Sequence, residues 1–430
     1  MTTCRDEDPP SDPFLLADRR WRYAAATPSG AGPKPPHNSD MRESWNDLEA
    51  HLAEWGLRRF SSDDAYFAWQ RQTLSADDLA ALHAEVEKKR QGTTEHETAF
   101  YDLTATPQIL PVLYSQRYDY YRVIGPLVAA ELGDAAAILD FGCGPGILTT
   151  YYARRFPSAR VTGVDRSPAC IREARRKADA LRLKNVQFVC LDRDIEPKTY
   201  DRVVATHALV QSEQDPGLPS RHWSTFERAH DAAAQSAFER RTGLGPRLDQ
   251  LVSAMTPEGR LIVFEKTRQL ARRIPLQRAL AGRALRLYGP PQAVRYALVE
   301  EIADDGPLFV LGHERNPGLT WDEGPEPDEG RPFDGHKAQP GSVAEDMPLY
   351  ENHWPSAQQA WEQLRGKTVM RQDTAEEADG RQLHIELGSA EGLRYLYCAN
   401  TFDQRQLVMV EPARVGILHT YYQEIIQGSA

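Results

Sequence analysis

Cysteine is scarce in this chain, with five residues in 430: Cys4, Cys143, Cys170, Cys190 and Cys398. Their odd number and wide scatter exclude a disulfide framework and match no zinc-ligand spacing. No metal is expected, and a reducing, cytoplasmic compartment is. Long hydrophobic runs are missing too. None approaches the ~18 residues of a membrane span, and the amino terminus lacks the apolar core of a signal peptide. Excess positive charge is also absent, because 51 Lys and Arg face 62 Asp and Glu for a net charge of −11. Wrapping nucleic acid by phosphate neutralisation needs a field of the opposite sign, so nucleic acid is not an expected partner. No internal repeat is visible. At 430 residues the chain should form two to three compact units.

Composition divides the chain. Residues 1–45 are rich in Pro, Asp, Ser, Gly and charge, and read as a disordered leader. Residues 46–130 read as a helical region. Trp45, Leu48, His51, Leu52 and Trp55 recur at helical spacing and stop at Gly56, and Ser61–Asp64 and Ser75–Asp78 are caps for two further helices. Lys88 to Glu97 is polar enough for a loop. A tyrosine-rich stretch then runs through Tyr101, Tyr114, Tyr118, Tyr120 and Tyr121, interleaved with Arg117, Asp119 and Arg122. Those charges prevent one clean apolar face, so burial against a sheet and the lining of a ligand pocket are both open.

The chain is organised around Ile138-Leu139-Asp140-Phe141-Gly142-Cys143-Gly144-Pro145-Gly146. A short apolar strand carrying an acid meets three glycines at every second position, and a helix-compatible stretch follows from Ile147 to Phe156. The glycines let backbone approach a ligand that side chains would push away. A dinucleotide fingerprint needs its third glycine at position 147, which is Ile. Three more strands end on a polar group: Arg160–Asp165, Asn185–Asp192 and Tyr200–His207. Ser167-Pro168 opens the helix after the first of these. A fifth strand, Gly259–Glu265, follows a helix near Leu248–Met255 and a Thr256-Pro257-Glu258-Gly259 turn. Arg295–Ile302 and Leu308–Gly312, around an Asp304-Asp305-Gly306 turn, read as an antiparallel hairpin.

This arrangement resembles the class I S-adenosylmethionine-dependent methyltransferases over roughly Tyr101 to Arg315. The resemblance implies an α/β fold with a doubly wound, mostly parallel sheet in residues 131–315, and S-adenosyl-L-methionine as cofactor. Carried over by position, Asp140, Gly142, Gly144 and Gly146 form the loop, Asp165 accepts from the ribose diol, and Asp192 accepts from the adenine amine. Arg166 and Thr206 complete the cofactor set. Arg166 stands where the family has an apolar or small residue, and Leu191 where it often has Gly.

The implied activity is in-line methyl transfer to a small metabolite or peptide. Cofactor use without net methyl transfer, and a non-catalytic binding subunit, remain the alternatives. His207 and Glu265 end the fourth and fifth strands, where ligands bind in such sheets, and are candidate catalytic groups. Tyr118 and Tyr121, three apart, are expected to converge with His207 above the glycine loop, where their rings would suit a sulfonium cation. The long segment Gln211–Gly245 suits a substrate wall or lid. Residues 316–349 read as a linker or long loop. Residues 350–430 read as a small α+β accessory domain for packing, substrate selection or dimerisation. In that domain Leu383, Ile385 and Leu387 form the buried face of a strand.

Overall fold

The structure is a computed structural model that describes residues 39–428 except 91–93, 192–194, 196, 211–214, 315, 317, 327–329, 331, 334–346 and 378–379; at 39–46, 94 and 426–428 only the backbone is described. The expected leader therefore lies mostly outside the described residues, as does much of the expected linker. The chain forms two compact units. One comprises residues up to Gln214, Thr242–Lys266 and Leu280–Thr320, and the other Asp215–Arg241, Thr267–Ala279 and Trp321–Ala430. The sequence boundaries differ from this division, because two segments inside 131–315 belong to the unit that contains the tail.

In the first unit six helices precede the sheet: α1 (Ser39–Glu54), α2 (Asp63–Thr73), α3 (Ala76–Lys89), α4 (Thr94–Thr104), α5 (Ile109–Gln116) and α6 (Tyr118–Leu132). Ser62 caps α2, and Ser75 with Asp78 forms a reciprocal capping box on α3. The polar stretch taken for a loop already enters α4 at Thr94. The backbone breaks at Arg117 (φ −95°, ψ 20°), so the tyrosine-rich stretch is two helices instead of one.

The sheet follows with β1 (Ala137–Phe141), α7 (Ile147–Arg155), β2 (Arg160–Asp165), α8 (Pro168–Ala180), β3 (Val186–Cys190), β4 (Tyr200–Thr206), the helix Leu244–Ala254, β5 (Met255–Phe264), β6 (Arg286–Leu287), β7 (Gln292–Leu298) and β8 (Glu301–Gly312). The order is β3-β2-β1-β4-β5-β8-β6, with β7 paired to β8. β1 to β5 run parallel, and β8 is antiparallel to β5. Strand order reverses direction at β1 and β4, which opens the ligand crevice at their carboxyl ends. The Thr256–Gly259 turn lies inside β5, where pairing of Met255 with Tyr200 skips to Arg260 with Arg202. Leu48, Leu52, Tyr121, Ile124, Ile138, Tyr152 and Ile262 belong to one apolar core packed on this sheet.

The hairpin exists, but its turn is elsewhere. Val299 takes a positive φ of 59° between β7 and β8. Asp304-Asp305-Gly306 lies within β8, where Val294 pairs with Gly306 and Arg295 with Asp304. Asp305 is thus the extra residue of a β-bulge, a device that re-aims a side chain.

In the second unit, β9 (Tyr350–His353), β10 (Thr368–Glu376), β11 (Gln382–Ala390), β12 (Leu393–Asn400) and β13 (Arg405–Val410) form an antiparallel sheet in the order β10-β11-β12-β13-β9. The helix Trp354–Gln363 buries Ala357 and Ala360 against it. The expected buried face of β11 is reversed in part: His384 and Glu386 are buried with Ile385, whereas Leu383 and Leu387 are half-exposed. Trp361 Nε1 and the Tyr395 hydroxyl donate to Glu386 at 2.9 and 2.6 Å, and Trp223 stacks on His384 at 3.7 Å. The two donors satisfy Glu386, and Thr374 Oγ1 lies 2.8 Å from His384 Nδ1.

Candidate functional site

Each loop glycine has a distinct reason to be glycine. Gly142, Gly144 and Gly146 take φ of 73°, 54° and 86°. A Cβ at Gly142 would lie 2.4 Å from that of Ala208, and one at Gly146 would lie 2.9 Å from that of Ala174. At Gly144 a Cβ would meet nothing within 4 Å, so this part of the loop faces open space. Gly142 N and Cys143 N donate to Val164 O, which ties the loop to β2.

Asp165, the last residue of β2, grips the same loop. Its Oδ2 accepts from Gly144 N and its Oδ1 from Ser167 N, both at 2.8 Å. Burial raises its pKa, and those two amide bonds oppose the rise. A carboxylate oxygen has two lone-pair sites, so each oxygen can still accept from one hydroxyl of a diol. Ser167 caps α8, and its hydroxyl donates to Asp102 of α4 at 2.5 Å.

The other cofactor candidates are placed as follows. Asp140 is buried in β1, accepts from Thr149 Oγ1 at 2.5 Å, and has its pKa pushed up to about 6 by burial. Arg166 is ion-paired with Glu97 of α4. Thr206, at the end of β4, lies beside the Tyr120 hydroxyl. Asp192 lies outside the described residues.

His207 follows β4 with a positive φ of 53°. Its ring packs between Tyr120 and Phe264, both with centroids at 5.1 Å. Arg117 donates to Nδ1 at 3.3 Å. Arginine has no acceptor, so Nδ1 is unprotonated and Nε2 carries the hydrogen. Nε2 lies 3.1 Å from Asp305 Oδ2, within ion-pair distance but off the line of a well-formed hydrogen bond. Burial lowers the pKa of His207 below its ordinary value against the pull of Asp305. Burial would raise Asp305, but His207, Lys266 and the Tyr296 hydroxyl hold it well below the usual carboxylate range. A neutral imidazole thus stands between a cation and an anion.

The structure brings Tyr120 to His207 in place of the two tyrosines expected there. Tyr121 is buried in the core beside Tyr120, and Tyr118 sits among Glu49, Arg122, Arg59 and Asp119. Glu265 is buried just beyond β5. Its Oε1 accepts from Ala208 N and Leu209 N at 2.7 Å and its Oε2 from Val210 N at 3.4 Å, which fixes the loop after β4. Burial pushes its pKa up to about 7.

Sequence reasoning missed Arg117 and Asp305. The first was noted only as a charge interrupting an apolar face, and the second as a turn residue. A cleft of about 450 Å³ in the second unit, lined by Arg221, Arg228, Glu323 and Gln358, contains none of these groups.

Residues 138–220 match the family model described as a methyltransferase domain. The chain is 38% identical over 86 residues to trans-aconitate 2-methyltransferase of Escherichia fergusonii, a match covering 20% of this chain and 32% of that protein. It is 33% identical over 82 residues to (S)-tetrahydroprotoberberine N-methyltransferase of Eschscholzia californica, covering 19% of this chain and 23% of that one. The matches thus span a third or less of these relatives' own length. Among solved structures, a SAM-dependent methyltransferase from Aquifex aeolicus aligns with 44% of this chain and 88% of its own at 15% identity, with a TM-score of 0.29. The glycine loop, the acid that ends β2 and the parallel strand order accord with that match, and residues 138–220 are similar to a methyltransferase domain.

Proposed function

We propose that the chain is a methyltransferase that uses S-adenosyl-L-methionine to methylate a small metabolite or peptide. The observation that carries this reading is the Asp165 carboxylate, clamped to Gly144 N and Ser167 N with a lone pair left on each oxygen, beside a glycine whose Cβ direction is open. These residues fit a ribose diol and the adjoining chain of the cofactor. When bound, the cofactor supplies a methyl group on a sulfonium, ready for in-line attack.

The protein's part is to align the nucleophile and exclude water. His207 orders the end of β4 in this reading, since its nitrogens face Arg117 and Asp305 and offer no free lone pair to a substrate proton. Glu265 holds the adjoining loop. The names of the two relatives give trans-aconitate and a tetrahydroprotoberberine, both small molecules, which supports the substrate class.

Titration calorimetry with S-adenosylhomocysteine is the direct test. Charge-assisted hydrogen bonds contribute roughly 1.5–3 kcal/mol each, so Asp165→Ala should weaken binding at least ~10-fold with the fold intact. Unchanged affinity, or preference of the wild type for NADH, would sink the assignment. Product analysis separates methyl transfer, which leaves S-adenosylhomocysteine, from transfer of another arm, which leaves methylthioadenosine.

A further inference from the structure

Arg117 is a half-buried cation that the fold has not answered. Half-buried Arg166 and Arg278 meet the carboxylates of Glu97 and Glu323, and buried Arg228 meets that of Asp403. Half-buried Arg202 instead gives its bonds to two backbone carbonyls, Glu131 O and Asp201 O. Arg117 has neither kind of partner among the described residues. Its guanidinium donates to His207 Nδ1 at 3.3 Å and lies 5.3 Å from the centre of the Tyr120 ring. Asp305, whose field reaches it, is already engaged by Tyr296 and His207. Most of the five N–H donors of a guanidinium are therefore left over in a partly desolvated place, where an uncompensated charge is costly.

The position is next to the glycine loop. His207 is followed by Ala208, whose Cβ leaves no room for one at Gly142. Arg117 is held at the break between α5 and α6, with Tyr120, Tyr121 and Tyr296 around it. The tyrosines are neutral, and each has its pKa raised by burial. The planar fork of arginine matches the two oxygens of a carboxylate better than it matches any neutral group.

We propose that Arg117 anchors a carboxylate of the substrate, which makes the methyl acceptor a small organic acid. This deepens the methyltransferase reading and rests on it. Arg117 binds and orients the acid, and His207 holds Arg117 from behind through Nδ1.

The test uses the full chain saturated with S-adenosylhomocysteine and titrated calorimetrically with malonate, citrate, benzoate, phenyl phosphate and phenethylamine. Arg117→Gln and Arg117→Lys are run in parallel. At least one carboxylate should bind the wild type, bind roughly 10-fold or more weakly to Arg117→Gln, and recover in part in Arg117→Lys. Affinity for S-adenosylhomocysteine should be the same in all three proteins, so loss of the cofactor reading shows up in a separate titration. If Arg117→Gln does not fold, the lysine variant carries the comparison through its weaker, non-bidentate grip. Three results overturn the proposal: equal carboxylate binding by wild type and variants, no carboxylate binding by a wild type that still takes up S-adenosylhomocysteine, and tighter binding of phenethylamine. Arg117-dependent binding of phenyl phosphate alone overturns the carboxylate assignment.

Discussion

Removing the charge of Asp403 should be the most damaging single change in the second unit. Asp403 and Arg228 form an ion pair in which each side chain is 1% exposed. Asp403 Oδ2 also accepts from Ala271 N at 2.8 Å. One carboxylate thereby ties together the three separate stretches of sequence that make up this unit. Breaking a buried pair by removing one partner costs about 3–5 kcal/mol, because the remaining charge is left uncompensated. That is a large share of the ~5–15 kcal/mol that holds a typical domain together. Asp403 has a φ of 73°, which Asn tolerates, so Asp403→Asn isolates the charge. Asp403→Ala should be worse, since it adds backbone strain and strands the Ala271 amide at a further ~1–3 kcal/mol. The double variant Arg228→Met/Asp403→Asn should recover much of the loss. Urea unfolding of the full chain measures all three, with S-adenosylhomocysteine affinity as the control for the first unit. The reasoning fails if Asp403→Asn lies within ~1 kcal/mol of wild type, or if the double variant is no better than the single.

Three further outcomes are expected. Gly142→Ala should lower the melting temperature, because its Cβ meets Ala208 at 2.4 Å, whereas Gly144→Ala should mainly weaken S-adenosylhomocysteine binding, because its Cβ enters open space. His51 is buried, and burial lowers its pKa to about 4, so the unfolded chain binds a proton there first and stability falls as pH drops from 6.5 toward 4. The advantage of wild type over His51→Gln should therefore shrink by about 2 kcal/mol between pH 7 and pH 5; Glu265 and Asp140, both raised, tilt the two curves equally the other way and drop out of the difference. Glu265→Ala should leave cofactor affinity nearly intact and impair turnover, because three amides of the loop after β4 lose their acceptor.

The glycine loop and the strands beside it were legible because their signals are local. A short buried apolar strand, an acid and a run of glycines lie within nine positions at Ile138–Gly146, and β2 could likewise be bounded at Arg160 and Asp165 from its apolar run and acidic end. The cluster around His207 was not, because it is assembled from α6, β4, β7 and β8. Spacing of three selects Tyr118 and Tyr121 as a pair, but the helix phase depends on the break at Arg117, which places Tyr120 against His207. Asp304-Asp305-Gly306 has turn composition, yet Val299 makes the turn at a φ that its branched side chain disfavours. β10 gave no pattern because every residue in it is exposed. On β11, alternation pointed to Leu383 and Leu387, while Trp361, Tyr395 and Trp223 made burial of Glu386 and His384 tolerable from far away in the chain.

The bulge at Asp305 makes the acidic side of the His207 contact a property of counting instead of identity. Successive side chains along β8 alternate between faces, so what presents a carboxylate to the imidazole is the one unpaired residue between Asp304 and Gly306. Substituting Asp305 changes the group but keeps the address. Deleting one residue from this triplet restores regular pairing and moves the address itself, leaving Arg117 and His207 to face whatever side chain the new register supplies. Insertions and deletions in this hairpin therefore change the group that faces Arg117 and His207 without altering the glycine loop.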